Sequence, residues 1–305
     1  MSFRDFINIG LVPKLHKFRN KSLKFINRLR SLPAQLYYSI KKSYMPLNQV
    51  TRKHHIVVSL TSFPPRFDTL HLAIKSILDQ SMKPDLIFLC LAKDEAKDES
   101  ELPASVLDLR KYGLQIFFAD GNLKPHKKYF YAMKLYPNSL IITVDDDSMY
   151  DKNLVADLYA SYTKHPTAIS ARRVHKIDRD KNGNVLPYNK WHYEYKKETP
   201  PSCDLLATGA GGILYPAGIL PPEAFDTAKI KALCLNADDI WLKFMGLKNN
   251  TPVVWVKSRR AHPLTIRKTQ KNALHKTNYH EGQNDTYIKK MQNHYKIDLG
   301  SYLGK

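Results

Sequence analysis

The chain has 305 residues, long enough for a full-sized core, and 43% of them are hydrophobic and 11% aromatic, which excludes a disordered or fibrous protein. Three cysteines without close pairing, Cys90, Cys203 and Cys234, exclude a disulfide framework or zinc knuckle and point to a reducing compartment. The net charge of +20 sits at the ends: residues 1–53 hold 12 Lys/Arg against one acid, residues 248–305 hold 12 against three, and residues 54–247 are neutral, so no nucleic-acid partner is expected.

No apolar run reaches the roughly 20 residues of a membrane span, and the first residues lack the apolar core of a secretory signal. The expectation is a cytoplasmic protein, peripheral on the inner face of the cytoplasmic membrane if its basic end binds there. If residues 14–30 are helical, Lys14, Lys17, Lys21, Lys24 and Arg28 form one stripe, with Leu15, Phe18, Phe25, Ile26 and Leu29 roughly opposite. Such a helix either lies on an anionic membrane surface or packs its apolar side on the body. Pro33 and Pro46 are expected to break this extension, residues 1–53, before the body begins.

From residue 54 the pattern alternates. A strand over His55–Leu60 runs into the turn Thr61-Ser-Phe-Pro-Pro-Arg66, and Leu70, Ile74, Ile77 and Leu78 give helical spacing to about Gln80. Strands follow at Leu86–Leu91 and Leu114–Phe118, with a short helix near Pro103–Lys111 between them. A helix at Phe130–Leu135 precedes a strand at Ser139–Val144 that ends in Asp145-Asp146-Asp147. The alternation predicts an α/β fold with a mostly parallel, Rossmann-like sheet covered by helices, whose ligands sit beyond the carboxyl ends of the strands. After Asp147 regularity drops. A hairpin turn is expected at Asn182-Gly183-Asn184, a helix through Asp238–Leu242, a strand over Pro252–Val256 and a helix at Thr286–His294.

Three carboxylates at a strand end repel one another unless a cation compensates. On an extended backbone Asp145 and Asp147 share a side and Asp146 points away, and paired oxygen ligands suit Mn²⁺ or Mg²⁺ with substrate phosphates completing the shell. The alternative is a solvated acidic turn. Asp238 and Asp239 beside Trp241 offer a carboxylate of raised pKa able to accept a proton, or else Asn236 and Asp238 cap a helix. His262, after Arg259-Arg260, is a candidate further ligand, and Lys127 and Lys128 meet phosphate or face solvent. Gly209–Gly212 matches no phosphate-binding or dinucleotide loop and suggests close approach of a sugar to backbone.

Taken in order, Val57–Arg66, Lys127-Lys128, Ile141–Asp147, Gly211–Pro216 and Ala237–Trp241 resemble the GT-A fold glycosyltransferases, and among them bacterial family-2-like enzymes of lipopolysaccharide and capsule synthesis. The likeness covers about residues 54–290, leaving 291–305 as a tail. It implies a nucleotide-sugar donor and a hydroxyl acceptor on a glycan or lipid-linked saccharide. It also implies an Asp-x-Asp metal motif at Asp145 and Asp147, with Asp147 the direct ligand and His262 a late one. Thr61, Arg66 and Asp120 would cradle the nucleoside, with Lys128, Asp145 and Asp146 also around the donor. Asp239 would be the general base, with Asp238 its neighbouring candidate, and one base with one displacement implies inversion. The first turn departs from the commoner Pro-x-Tyr-Asn pattern. Two rival readings are a metal-dependent phosphohydrolase, which lacks its Asp-x-Asp-x-Thr element here, and a non-catalytic carbohydrate or nucleic-acid binding module, which needs no Asp238-Asp239.

Overall fold

A computed structural model describes residues 27, 29–258, 263–267, 269 and 282–304. Helix α1 covers residues 29–40, followed by β1 (Ile56–Thr61), α2 (Phe67–Leu78), β2 (Leu86–Ala92), α3 (Ala104–Leu107) and β3 (Leu114–Ala119). Next come α4 (Lys127–Leu135), β4 (Leu140–Thr143), β5 (Ser148–Met149), α5 (Leu154–Lys164), β6 (Ile169–Ala171) and β7 (Val174–Lys176). The chain continues through β8 (Leu205–Ala207), β9 (Ile213–Tyr215), α6 (Thr227–Leu233), α7 (Asp238–Lys248), β10 (Val253–Trp255), β11 (Leu264–Thr265) and α8 (Gln283–Tyr295).

Seven strands form one sheet in the order β10-β6-β9-β4-β1-β2-β3, and all run parallel except β9, which is antiparallel to both of its neighbours. Burial on both faces explains why the strands read as continuous apolar runs rather than alternating ones. In β1, Ile56, Val58 and Leu60 pack with Leu70, Ile74 and Ile77 of α2 and with Leu154 and Leu158 of α5. Val57 points to the opposite face, with Phe88, Ile141 and Ala132 of α4. Truncating a fully buried side chain such as Ile74 to Ala removes about 2–5 kcal/mol of stability. With four neighbouring strands parallel, Thr61, Ala92, Ala119 and Thr143 all end at one edge, and the connections after them build the site there.

The sequence expectation changes in three places. Helix α1 runs through Pro33 instead of breaking there, because Ala34 and Tyr38 pack against Leu72, Ala73, Met149, Leu264 and Ile266 and hold the turn in place. The boundary drawn after residue 290 falls inside α8, whose Met291 is buried and whose following residues Ile297 and Leu299 join the same core. The stretch after Asp147 holds α5 and the short strands β6 to β9, each strand only three residues long and so too short to show a period. The turn at Asn182-Gly183-Asn184 does form, with Asp180 N–H donating to the Asn184 carbonyl and Gly183 in the left-handed region at φ +85°.

Candidate active site

Strand β4 ends at Thr143, and Asp145 to Asp147 form the turn that leads into β5. The three carboxylates therefore part company through the turn. Asp146 is driven inward: Ser62 Oγ donates to its Oδ2 at 2.6 Å and the Arg66 guanidinium pairs with its Oδ1. Arg66 Nη2 also lies 3.3 Å from Asp147 Oδ2. Asp145 and Asp147 are half-buried, and the backbone N–H of Asp145 donates to the Tyr150 hydroxyl at 2.8 Å. β5 pairs with β11, and Ile266 N–H donates to the Asp147 carbonyl at 2.8 Å, so the turn is pinned from both sides.

The second cluster opens α7. Its N-cap is Ala237 with no side-chain cap bond, so neither Asn236 nor Asp238 serves as the cap, and both Asp238 and Asp239 fall in the first turn, where exposed N–H groups favour carboxylates. Lys128, on α4, joins the two clusters. Its buried ammonium lies 2.9 Å from Asp145 Oδ1 and 2.9 Å from Asp238 Oδ2, the first a hydrogen bond and the second an ion pair outside hydrogen-bond geometry. Gly209 sits in the same gap, its N–H donating to Asp239 Oδ1 at 3.1 Å. A Cβ at that position would lie 2.7 Å from Lys128 Nζ and 3.2 Å from Asp145 Oδ1.

Electrostatics divides the acids by task. Burial, together with the neighbouring Asp238 carboxylate, pushes Asp239 up to about 8. Burial would raise Asp238 as well, but the Lys128 ammonium outweighs it and holds that carboxyl below its ordinary value. Burial pushes Asp146 up to about 6 despite Arg66 beside it, and burial plus the Asp145 charge raise Asp147. Burial works against the Lys128 ammonium, yet Asp145, Asp238 and Asp239 leave it well above the usual lysine value.

Several expectations need correcting. Arg66, expected to help cradle the nucleoside, pairs with both Asp146 and Asp147, because partly desolvated carboxylates hold a guanidinium better than water does. Lys128 does not face solvent, and Lys127 is buried against Glu95 at 2.6 Å. The glycine run is used by the protein's own packing, since a Cβ on Gly211 would meet Arg173 at 2.6 Å, just as Gly209 makes room for Lys128. Thr61 lies at the end of β1 with its hydroxyl donating to the Cys90 carbonyl at 2.7 Å. Asp120 follows β3 at the outer side of the same sheet edge, exposed and paired with Lys93 at 2.8 Å. His262 and Arg259-Arg260 lie outside the described residues, as does nearly all of residues 14–28. Ser62, Tyr150 and His126 escaped the sequence reading. His126 is buried, donates Nε2–H to the Cys234 carbonyl at 2.9 Å, and is pushed down to about 4 by burial, so it stands neutral near Asp238.

Among the described residues no three His, Cys, Asp or Glu side chains converge as a metal cage. The charge count still suits a cation. Five carboxylates, Asp145 to Asp147 with Asp238 and Asp239, are met by two fixed cations, Arg66 and Lys128. Asp145 and Asp147, both half-buried, are the carboxylates that would hold a hard divalent ion, which typically keeps one or two carboxylates and fills its shell with phosphate and water oxygens.

Residues 64–214, from the first turn through β9, match the family model for glycosyl transferase family 2. That interval holds the aspartate turn, Lys128 and Gly209, and stops short of Asp238 and Asp239. Among solved structures, residues 1–349 of S. aureus TarS in complex with UDP are similar at 14% identity and a TM-score of 0.49, over 78% of this chain. The chain spans 65% of that TarS structure. The Pyrobaculum calidifontis mannosyltransferase PcManGT, in complex with GDP-Man and Mn²⁺, is similar at 10% identity and a TM-score of 0.49, over 90% of this chain and 76% of that one. No curated protein matches the chain by sequence.

Proposed function

We propose that the chain, whose residues 64–214 match the glycosyl transferase family 2 model, is a GT-A fold glycosyltransferase that moves a sugar from a nucleoside-diphosphate sugar to a hydroxyl of a glycan or lipid-linked saccharide, with inversion, in bacterial surface polysaccharide synthesis. The observation that carries this reading is the bridge at Lys128, which ties the aspartate turn to the first turn of α7. A proton acceptor and a diphosphate-handling turn are thereby held on either side of one gap.

Asp239 takes the chemical role. Its Oδ1 is fixed by the Gly209 N–H, which leaves Oδ2 to accept a proton, and its raised pKa makes it a stronger base than an ordinary carboxylate. As the acceptor oxygen forms its bond to the anomeric carbon, its proton passes to Asp239. The bond from that carbon to the diphosphate oxygen breaks on the opposite face, and the electron pair leaves with the nucleoside diphosphate. Lys128 holds Asp145 and Asp238 in register, and Arg66 holds Asp146 and Asp147. Mn²⁺ or Mg²⁺ held by Asp145 and Asp147 would offset the negative charge building on the departing diphosphate.

The test is thermal denaturation with UDP-, GDP- and CMP-sugars, each with and without Mn²⁺. A donor at about 100 times its Kd adds about 2.7 kcal/mol to stability. The expected result is a shift with one nucleotide class that grows when Mn²⁺ is present. No shift with any donor would overturn the reading.

A further inference from the structure

Exposed apolar side chains are concentrated on one element. Of the eight large hydrophobic side chains that are exposed among the described residues, seven lie between residues 29 and 50. On α1, Leu29, Leu32, Leu36 and Ile40 follow one another at spacings of three, four and four, a single stripe along the helix, and they are 54%, 44%, 63% and 66% exposed. The opposite side holds Ser31, Ala34 and Tyr38, which face the body. The helix is fixed in this orientation. Lys75 Nζ donates to the Tyr38 carbonyl at 2.8 Å, Lys41 pairs with Asp79 at 2.5 Å, and Arg267 N–H donates to Gln35 Oε1 at 3.1 Å. Turning the stripe inward would break all three.

A row of leucines held outward on a docked helix needs a covering surface. Charge identifies it. No acidic residue lies between Asp5 and Asp68, and Arg30 and Lys42 are exposed at the two ends of the helix. A second copy of the chain would bring two such basic segments together and repel. A bilayer with anionic headgroups offers apolar depth for the leucines and negative charge for the lysines and arginines at once. We propose that the α1 stripe of Leu29, Leu32, Leu36 and Ile40 is a membrane-docking surface that seats the enzyme on anionic lipid.

The assignment differs from a purely electrostatic arm, because the apolar contact is made by the ordered helix on the body and not by lysines alone. It also reaches the candidate active site. The Asn27 side chain donates to the Pro263 carbonyl at 3.1 Å and accepts from Thr265 N–H at 3.2 Å, and Thr265 belongs to β11, which pairs with β5 beside Asp147. Docking would thus hold the aspartate turn at the lipid surface through two hydrogen-bonded steps.

The experiment is co-sedimentation of the full chain with vesicles of phosphatidylcholine alone or with a third phosphatidylglycerol. It compares wild type, the double variant Leu36→Glu/Ile40→Glu, and the control Leu135→Glu, which changes an exposed leucine on α4. Wild type and control should pellet with the anionic vesicles, and the double variant should lose at least tenfold in binding with its Tm unchanged. A residual salt-sensitive attachment of the double variant to anionic vesicles, well below wild type, would fit the basic segment alone. Equal binding of the double variant and wild type would overturn the assignment. So would a wild type that ignores both vesicles, including one that dimerises in sedimentation velocity while the double variant stays monomeric. None of these readouts depends on sugar transfer, so they stand or fall apart from the glycosyltransferase chemistry.

Discussion

The aspartate turn after β4 and the first turn of α7 both place adjacent carboxylates at one gap, and they tame the repulsion by different means. In the turn, Asp146 is pulled into the body by Ser62 and Arg66, and Arg66 reaches on to Asp147. On α7, Asp238 is held by Lys128 at the amino end of a helix, while Asp239 keeps a single backbone N–H from Gly209. One acid in each cluster anchors the element. In the turn burial raises the anchoring Asp146 as well as Asp147, whereas on α7 Lys128 holds Asp238 low and only Asp239 is raised. The difference lies in what each neighbour is fit for. Asp147 is raised by burial and by the Asp145 charge, which on the proposed reading a cation would offset, whereas Asp239 is raised far enough to exchange a proton near neutrality.

The largest effect expected from breaking this division is at Asp239. Asp239→Asn keeps the shape and removes the proton acceptor, so kcat should fall by about 10³-fold or more, while the donor Kd stays within about twofold. Turnover at the wild-type rate would move the base elsewhere. Lys128→Met attacks the shared bridge instead. It leaves Asp145 and Asp238 without their buried cation, and breaking such a pair typically costs about 3–5 kcal/mol, which should appear as a large loss in denaturant unfolding. Were stability unchanged, the two clusters would not depend on each other. Asp147→Asn should lower kcat by about 10²-fold and raise the Mn²⁺ concentration needed for half-maximal rate. The same variant with unaltered metal dependence would assign the ion to other oxygens.

The two clusters were also unequally legible in the sequence. Ile141-Ile142-Thr143-Val144 is an apolar run too short for anything but a buried strand, so the acids behind it were visibly at a strand end. The helical spacing of Leu70, Ile74 and Ile77 and the positions of the first four strands along the chain were readable for the same reason, since burial on both faces leaves a continuous apolar signature. Lys128 could not be assigned this way. The sequence left it to meet phosphate or face solvent, and only the packing of α4 under Gly209 shows that it is enclosed. The strand alternation applied to Asp145–Asp147 rested on an extended backbone that stops at Thr143, although the inward place of Asp146 emerged from the turn instead. Pro33 misled because a helix breaker was weighed without the tertiary contacts of Ala34 and Tyr38 that outweigh it.

The smallest effect is the most specific to Asp239. Its carboxyl titrates near 8 in the folded chain against an ordinary value of 3.8, so the folded state binds a proton more tightly than the unfolded state does. The stability this adds is fully present below about pH 4 and is lost as pH rises through about 8. Wild type should therefore lose Tm between pH 6 and 9 relative to Asp239→Asn, by about 2 °C or more, in metal-free buffer. Asp146 and Asp147 are raised too and slope in the same direction, but they remain in both proteins and cancel in the difference. Part of the rise at Asp239 comes from the charge on Asp145. Adding Mn²⁺ should then move the acidic limb of the pH–rate profile, where Asp239 is protonated, to lower pH and shrink the Tm difference, if Asp145 holds the ion. A Tm difference that ignores both pH and Mn²⁺ would mean that Asp239 is already ionised in the resting protein, with the Lys128 charge outweighing its burial.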